Sequence, residues 1–287
     1  MQSPALKHLI AGSTELFSLP DIYFQLSEMI RDSRFSLADI GKVIAKDPAL
    51  SARLLRIVNS PFYGFQARID TISRAIAVIG IDDLNNLVLA TTVVDRFGKI
   101  PCELIDMTSF WIRSVQCAVI ARLLAKHSAV LHTERLFLAG LLHDIGSLVL
   151  SQKMPEQYLK ALLAANHDRR LLAGFEQSLI GFTHADVGRE LLKTWGLPES
   201  LYETIGCYLH PADAQVHKLD AHLLHMASRL ADSVGQAEGI EAAIEEFSKQ
   251  SLILVRLSGE QIGSIMEQVD GEFLQMFELL APNKKFH

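Results

Sequence analysis

Apolar residues recur at intervals of three and four positions along most of the chain, a spacing typical of amphipathic α-helices. The 287 residues include only 9 prolines and 17 glycines, and these fall mostly between the periodic segments. No strand, internal repeat or low-complexity segment is predicted. The pattern therefore predicts an all-α protein.

The breaks between periodic segments place the helices. Asp47 can accept a backbone N–H as an N-cap and Pro48 fits the first helical position, so a helix should begin there. A loop is expected at residues 59–64, because Pro61 disfavours helix in the residue before it and Gly64 permits positive φ. Further helices are predicted at residues 72–97 with a break near Gly80, and at about 106–127, 133–153, 155–167, 171–180, 184–195, 198–209 and 218–234, with two or three more after them.

Composition and charge narrow the class of protein. With 49% hydrophobic and 21% charged residues, the chain can bury a large core without disulfides or a structural metal. A net charge of −6 and a pI near 6.0 argue against a nucleic-acid partner, because such binding needs clustered Lys and Arg. Three cysteines lie far apart without a CxxC pair, which argues against a disulfide framework and a thiolate zinc site: Cys102, Cys117 and Cys207.

Hydropathy bears on localisation. The mean hydropathy is +0.21, but every apolar stretch is interrupted by a charge, Gly or Pro well before about 18 residues. Residues 1–12 lack the basic start, unbroken apolar run and small-residue cleavage site of a signal peptide. We therefore expect a soluble cytoplasmic protein with no membrane partner.

His143 and Asp144 are the first candidates for chemistry, because they are adjacent in the apolar helix predicted at 133–153. At about 100° per residue they lie opposite Glu134 and Arg135 at the charged helix start, so both should point inward. A lone inward His is usually a satisfied core residue, but a buried ionised Asp is costly unless a cation or metal compensates it. The pair therefore predicts a polar site.

Arg113 should point toward the same interior. In the helix predicted at 106–127, Arg122 and Lys126 mark the solvent-facing side, and Arg113 lies opposite Arg122. A buried Arg rarely stays unpaired, and Asp144 is the nearest inward anion in the sequence. We expect an ion pair between Arg113 and Asp144; the alternative is that Arg113 extends to solvent from near the helix start.

Three further histidines are weaker candidates. His184 shares a helix stripe with apolar residues, His210 precedes Pro211 at a helix end, and His225 lies on a largely apolar helix face. Each is by itself more often a core or capping residue than a ligand. A metal site needs several such groups to converge, and the sequence alone leaves their convergence open.

Several short motifs together resemble the HDOD family of bacterial signalling modules. The resemblance runs from Leu19-Pro20 to about Leu230, and no single motif carries it. Its landmarks are Asp47-Pro48-Ala49-Leu50, Val58-Asn59-Ser60-Pro61-Phe62-Tyr63-Gly64, Ile72-Ser73-Arg74-Ala75-Ile76, Phe110-Trp111, Leu138-Ala139-Gly140-Leu141-Leu142-His143-Asp144-Ile145-Gly146, His184-Ala185-Asp186-Val187-Gly188, Trp195-Gly196-Leu197-Pro198 and His225-Met226-Ala227.

The resemblance implies an N-terminal helical bundle packed on a domain related to HD phosphohydrolases. The best linker candidate in the sequence is Gly98-Lys99-Ile100-Pro101. We therefore expect an N-terminal HDOD subdomain at 1–105, an HD-like subdomain at 106–235 and a C-terminal helical extension at 236–287.

The resemblance also implies a ligand set. HD enzymes bind a divalent metal through a first His, an adjacent His-Asp pair and a later Asp, and the metal-bound water attacks phosphate. Here the middle pair would be His143 and Asp144, whereas Arg113 falls at the first position and Ser228 at the last. The family commonly has Lys or Arg after His-Asp-Ile-Gly, where this chain has Ser147.

These replacements change the charge of the implied site. Exchanging a neutral ligand for Arg113 and an anion for Ser228 makes the pocket about two charges more positive, which opposes a divalent ion. We therefore expect no metal and no other cofactor, although His184 or His210 could hold a weak or relocated metal.

Three functions remain open. The resemblance implies a non-catalytic regulator or scaffold that acts through protein partners in a bacterial signalling pathway. The second is a metal-dependent phosphohydrolase acting on a nucleotide or cyclic dinucleotide, which would need metal-bound hydroxide near His143 and Asp144. The third is a sensor whose cationic pocket around Arg113, with His184 and His210 if they converge, binds a nucleotide or other phosphate-bearing ligand without hydrolysis. The first is favoured because two of the four ligand positions have changed.

Overall fold

The computed structural model describes residues 4–13, 16–235 and 239–280. Within these ranges it consists of α-helices and one short 3-10 helix, Pro211–Asp213, without a strand, which confirms the all-α prediction. The α-helices in chain order are α1 (Pro4–Ala11), α2 (Asp21–Arg31), α3 (Leu37–Ala45), α4 (Pro48–Val58), α5 (Ile72–Ile79), α6 (Ile81–Phe97), α7 (Met107–His127), α8 (Thr133–Leu142), α9 (Ile145–Lys153), α10 (Pro155–Ala164), α11 (Arg169–Leu179), α12 (His184–Thr194), α13 (Glu199–Cys207), α14 (Lys218–Ser233), α15 (Gly239–Glu245), α16 (Lys249–Val255), α17 (Gly259–Met266) and α18 (Val269–Leu280).

The chain forms two compact units, and each is built from two separate stretches of sequence. The first unit comprises residues 1–18 and 101–267, and the second comprises residues 19–100 and 268–287. One division therefore falls inside the predicted linker, between Ile100 and Pro101.

The two ends of the chain depart from the predicted three-part division. Helix α1 belongs to the first unit because it packs on α12, although the prediction placed it in the N-terminal subdomain. The predicted extension at 236–287 is split: α15 to α17 pack within the first unit, whereas α18 packs on α4 and α6 of the second. Burial of the apolar faces of these helices decides their placement, and sequence order does not reveal it.

In the second unit, local signals set the helix ends as the sequence predicts. The Asp47 carboxylate accepts the backbone N–H groups of Ala49 and Leu50, each at 3.0 Å, and so caps α4. Gly80 has a φ of +89°, which ends α5 and allows α6 to begin in a new direction. Helices α3, α4, α5 and α6 pack against one another around this turn.

Helix α7 is the core of the first unit. It is 21 residues long, packs against α8, α14 and α17, and buries side chains on all sides rather than on one face. Helix α8 approaches it closely at Gly140, where an added Cβ would lie 2.5 Å from the Cα of Ala118. A side chain at Gly140 would therefore force the two helices apart.

Two details of the predicted helices are wrong. The helix at 133–153 is interrupted, and His143 and Asp144 lie in the turn between α8 and α9. Arg122 does not face solvent, because α7 is enclosed by other helices and leaves this side chain 6% exposed. Glu134 is also buried, although the prediction placed it on the solvent-facing side of the helix. His143 and Asp144 nevertheless point inward as predicted.

Among the described residues, no single helix is both long enough and apolar enough to cross a membrane. The adjacent helices α5 and α6 meet that criterion only as a pair, and the pair is bent by 117°.

We predict that Gly140→Ala will lower the free energy of unfolding by roughly 1–3 kcal/mol, because the new methyl group overlaps the α7 backbone. The matched control is Gly174→Ala in α11, where no atom lies within 4 Å of an added Cβ. That variant should be neutral or more stable by up to about 1 kcal/mol. Urea unfolding measures both, and equal stability of the two variants would show that α7 and α8 are not in close contact.

Candidate functional site

The turn between α8 and α9 positions the candidate site. Its His143 and Asp144 are 0% and 1% exposed, so both polar side chains are fully enclosed in the first unit. Gly146, two residues further on, lies against the start of α12: an added Cβ would be 2.0 Å from the carbonyl oxygen of His184. This close approach brings His184 to within 4.0 Å of Asp144.

Arg113 reaches this turn from α7 and is the central cation of the site. Its Nη1 donates to Nε2 of His143 at 2.6 Å and to Asp144 at 3.3 Å, and its Nη2 donates to the Ser228 hydroxyl at 3.2 Å. Its Nε donates to Asp232 at 2.5 Å. The expected ion pair with Asp144 is present, and the alternative in which Arg113 extends into solvent is wrong, because this side chain is only 13% exposed.

The contacts of His143 fix its protonation state. Its Nδ1 lies 2.6 Å from the carbonyl oxygen of Gly140, which can only accept a hydrogen bond, so Nδ1 carries the proton. Nε2 then presents a lone pair, and Arg113 donates to it. Burial and the charge of Arg113 lower the pKa of His143 to about 3. The imidazole is therefore neutral at physiological pH, and the lone pair on its Nε2 accepts the hydrogen bond from Arg113.

Asp144 is compensated from several directions. Arg169 of α11 donates to it at 2.5 Å, and the Ser147 hydroxyl donates to it at 2.5 Å. Burial alone raises the pKa of Asp144, but the charges of Arg169 and Arg113 outweigh burial and hold that pKa far below its usual range. Two guanidinium groups therefore keep this buried carboxylate ionised.

A second buried cluster adjoins Asp144 and contains Glu176, His184 and Tyr208. Nδ1 of His184 lies 2.6 Å from the Glu176 carboxylate, which also accepts the backbone N–H of His184 at 2.8 Å. Nε2 of His184 lies 2.6 Å from the Tyr208 hydroxyl. Burial lowers the pKa of His184, but Glu176 and then Asp144 raise it above its ordinary value, which favours the imidazolium form.

The three histidines predicted as weaker candidates have different environments in the structure. His184 is part of the site, as described above. His210 is exposed, precedes the short 3-10 helix and does not line the cavity beside Arg113. His225 does line that cavity, with its Nδ1 donating to the Tyr208 carbonyl at 2.8 Å. His210, which the sequence analysis named as a pocket candidate, thus lies outside this cavity, whereas His225 lines it.

The sequence prediction missed Arg169, Glu176, Tyr208 and Asp232. A signal existed for Asp232, which lies four residues after Ser228 and so one helical turn away on the same face of α14. No comparable signal marks Arg169, because it begins α11 directly after the capping residue Asp168, where an Arg is usually a surface residue. Its contact with Asp144 depends on the tertiary fold.

The residues present do not fit a divalent metal of the HD type. Arg113 donates its protons to the His143 nitrogen and the Asp144 carboxylate that would have to face the ion. Ser228 is held by the same guanidinium. Among the residues that the structure describes, no group of three or more His, Cys, Asp and Glu side chains is arranged to hold a metal ion.

Comparison with known sequences places the chain in a family. Residues 16–211 match the HDOD domain model. An "Uncharacterized protein" of Treponema pallidum (strain Nichols) is 28% identical over 191 residues, which are 65% of this chain and 36% of that protein. This chain therefore spans little more than a third of the relative that it matches.

Comparison with solved structures shows proteins of similar fold. A "Putative phosphohydrolase" from Shewanella amazonensis SB2B superposes with a TM-score of 0.74 at 27% identity, covering 98% of this chain and 99% of that one. An HDOD domain protein of unknown function from Geobacter sulfurreducens gives 0.77 at 20% identity, covering 96% and 97%. A "Putative signal transduction protein" from Marinobacter aquaeolei VT8 gives 0.69 at 23% identity, covering 98% and 62%.

The helices define an all-α protein whose fold is shared with these solved structures. The match to the family model covers more than half of the chain. The chain belongs to the HDOD domain family.

We predict that Arg113 couples more strongly to Asp232 than to Asp144 in double-mutant cycles. Arg113→Ala should lower the free energy of unfolding by about 3–5 kcal/mol, because it removes one of the two cations that contact the buried Asp144 and a cation that contacts the partly buried Asp232. Arg113→Ala with Asp232→Ala should recover more of that loss than Arg113→Ala with Asp144→Ala, since Arg113 lies 2.5 Å from Asp232 but 3.3 Å from Asp144, and Asp144 also retains Arg169.

The control cycle uses Arg53 and Asp95 of the second unit, which are 3.0 Å apart with Asp95 52% exposed. Such an exposed partner should give a coupling of about 0–1 kcal/mol. A coupling between Arg113 and Asp232 no larger than this control would contradict the buried ion pair.

We also predict a pH dependence that His143 causes. The pKa of His143 is about 6.5 in the unfolded chain and about 3 in the folded chain. Between these two pH values the unfolded chain binds a proton that the folded chain does not bind, so acidification favours unfolding. Each pH unit in that window should remove up to about 1.4 kcal/mol of stability. Urea unfolding between pH 7.5 and 5 should show a shallower loss in His143→Gln than in the unmodified chain. Identical slopes would mean that His143 titrates normally in the folded state.

Proposed function

We propose that this chain is a non-catalytic regulatory member of the HDOD family that acts in bacterial cytoplasmic signalling through contacts with other proteins. The observation that carries the proposal is the position of Arg113. Its guanidinium group lies among His143, Asp144 and Ser228, the residues that the family resemblance aligns with metal ligands.

Electrostatics supports the absence of metal-dependent hydrolysis. Two unit charges about 4 Å apart repel by about 4 kcal/mol at an effective dielectric constant of 20, and a divalent ion doubles that figure. A metal at His143 would also have to compete with the proton donated by Arg113 for the Nε2 lone pair. The guanidinium group cannot relieve this conflict by losing its proton, because it stays charged in proteins.

The second candidate is a metal-dependent phosphohydrolase, and one specific observation favours it. The similar structure from Shewanella amazonensis SB2B, at 27% identity over nearly the full length, is named "Putative phosphohydrolase". His143 and Asp144 would supply half of the ligands of such an enzyme. The regulatory proposal is preferred because the other two aligned positions in this chain carry Arg113 and Ser228.

The protein partners are proposed on the family's resemblance to signalling modules and on the name of the similar structure from Marinobacter aquaeolei VT8. The net charge of −6 gives no support for a nucleic-acid partner. The expected partner is therefore another signalling protein.

We predict that the purified chain will hydrolyse neither cyclic dinucleotides nor nucleoside polyphosphates in Mn²⁺, and that Mn²⁺ will not raise its melting temperature. Arg113→His with Ser228→Asp should instead bind Mn²⁺, because it restores a neutral nitrogen ligand and a carboxylate. Binding at 100 times the dissociation constant adds about 2.7 kcal/mol of stability, which thermal unfolding detects.

The matched control is Arg113→Gln with Ser228→Asp, which removes the cation and adds the carboxylate without supplying an imidazole. This variant should gain less stabilisation from Mn²⁺ than the variant with His. Hydrolysis by the unmodified chain that disappears in His143→Ala would overturn the proposal and restore the phosphohydrolase candidate.

A further inference from the structure

A cavity of about 320 Å³ opens beside the ion-paired centre, and its wall carries more cations than anions. The charged residues of the wall, apart from histidines, are Arg113, Arg169, Arg170, Arg229, Asp232 and Glu246. Asp144 and Asp168 pair with these arginines from outside the wall, so the four arginines and their four carboxylate partners are formally balanced.

Two of the four arginines are committed to buried carboxylates, and two are not. Arg170 pairs with Asp168 at 2.7 Å, with both side chains substantially exposed, and Arg229 pairs with the exposed Glu246. Exposed pairs of this kind contribute about 0–1 kcal/mol. Arg170 and Arg229 can therefore exchange their carboxylate partners for an anion at a small cost in free energy. Each guanidinium also has five N–H donors, so it can contact an anion while it keeps its carboxylate partner.

Tyr208 adds a buried hydroxyl group to the same wall. It is 2% exposed and its hydroxyl oxygen lies 2.6 Å from Nε2 of His184. A phenolic hydroxyl can both donate and accept a hydrogen bond, so Tyr208 is a further polar group at the wall.

We propose that this cavity binds the phosphate group of a small phosphate ester, with Arg170 and Arg229 as the main ligands and Arg169 and Tyr208 beside them. Planar guanidinium groups match phosphate oxygens in pairs, and a phosphate dianion can replace the exposed carboxylates of Asp168 and Glu246 as the partner of Arg170 and Arg229. The volume lies at the lower end of the range of about 300–1,000 Å³ for ligand pockets, which suits a small ester. The inference rests on the proposed function, because a phosphate that is bound without hydrolysis can serve as a signal.

A bound phosphate would connect two helices that otherwise have few contacts. Arg169 and Arg170 begin α11, whereas Arg229 lies on α14. Helix α11 packs mainly on α10, and the pair shares a small cluster of its own: Ala161, Ala165 and Leu172. Phosphate held between α11 and α14 would therefore tie the α10–α11 hairpin to the rest of the first unit.

Isothermal titration of the full chain with inorganic phosphate and with pyrophosphate, in chelator at constant ionic strength, tests this site. Arg170→Gln and Arg229→Gln should each weaken binding at least tenfold. The matched control is Arg34→Gln, because Arg34 pairs with Asp32 two residues earlier, as Arg170 pairs with Asp168. In the unmodified chain, phosphate should also slow amide hydrogen exchange in residues 155–180.

Undetectable binding of both anions, or equal weakening in Arg34→Gln, would overturn the inference. Unchanged affinity in both Arg170→Gln and Arg229→Gln would overturn it as well. Failure here is distinguishable from failure of the proposed function: loss of anion binding leaves a non-catalytic regulator possible, whereas metal-dependent hydrolysis of a phosphate ester contradicts that role and leaves the site in place.

Discussion

The ionised carboxylate of Asp144, buried at the turn between α8 and α9, is the constraint on which the site depends. An unpaired carboxylate at this depth would cost several kcal/mol, so the surrounding helices must supply cations or donors. Arg113 arrives from α7, Arg169 from α11, and Ser147 from the first turn of α9. The compensation of one charge thus links three helices that are distant in sequence.

The same compensation decides what chemistry the site can support. In an HD enzyme a metal ion would neutralise the carboxylate and activate water, as the family resemblance implies. In this chain a guanidinium group contacts the carboxylate instead, and Arg113 offers only donors and occupies the lone pair of His143. The arrangement favours an ion-paired centre, and the anion site that we propose uses the more exposed arginines beside it, Arg170 and Arg229.

The sequence was sufficient for the local features and for part of the site. Asp47 and Gly80 set helix ends through their own side chain or backbone, so their roles were predictable. The pairing of Arg113 with Asp144 followed from the cost of burying a carboxylate. The prediction that Arg122 faces solvent was wrong, because α7 is enclosed by other helices and has no solvent-exposed face that the spacing of polar residues could reveal. Arg169 lay beyond prediction because its contact joins α11 to a turn 25 residues earlier in the sequence.

The most direct test of the central claim is nuclear magnetic resonance of the chain with ¹⁵N-labelled histidine, recorded while Mn²⁺ is added. If Arg113 occupies the place of a metal, His143 will show a protonated Nδ1 and an unprotonated Nε2, and stoichiometric Mn²⁺ will leave both signals sharp. Selective paramagnetic broadening of the His143 signals at one equivalent of Mn²⁺ would contradict the claim, because it would place the ion beside the imidazole that Arg113 should hold.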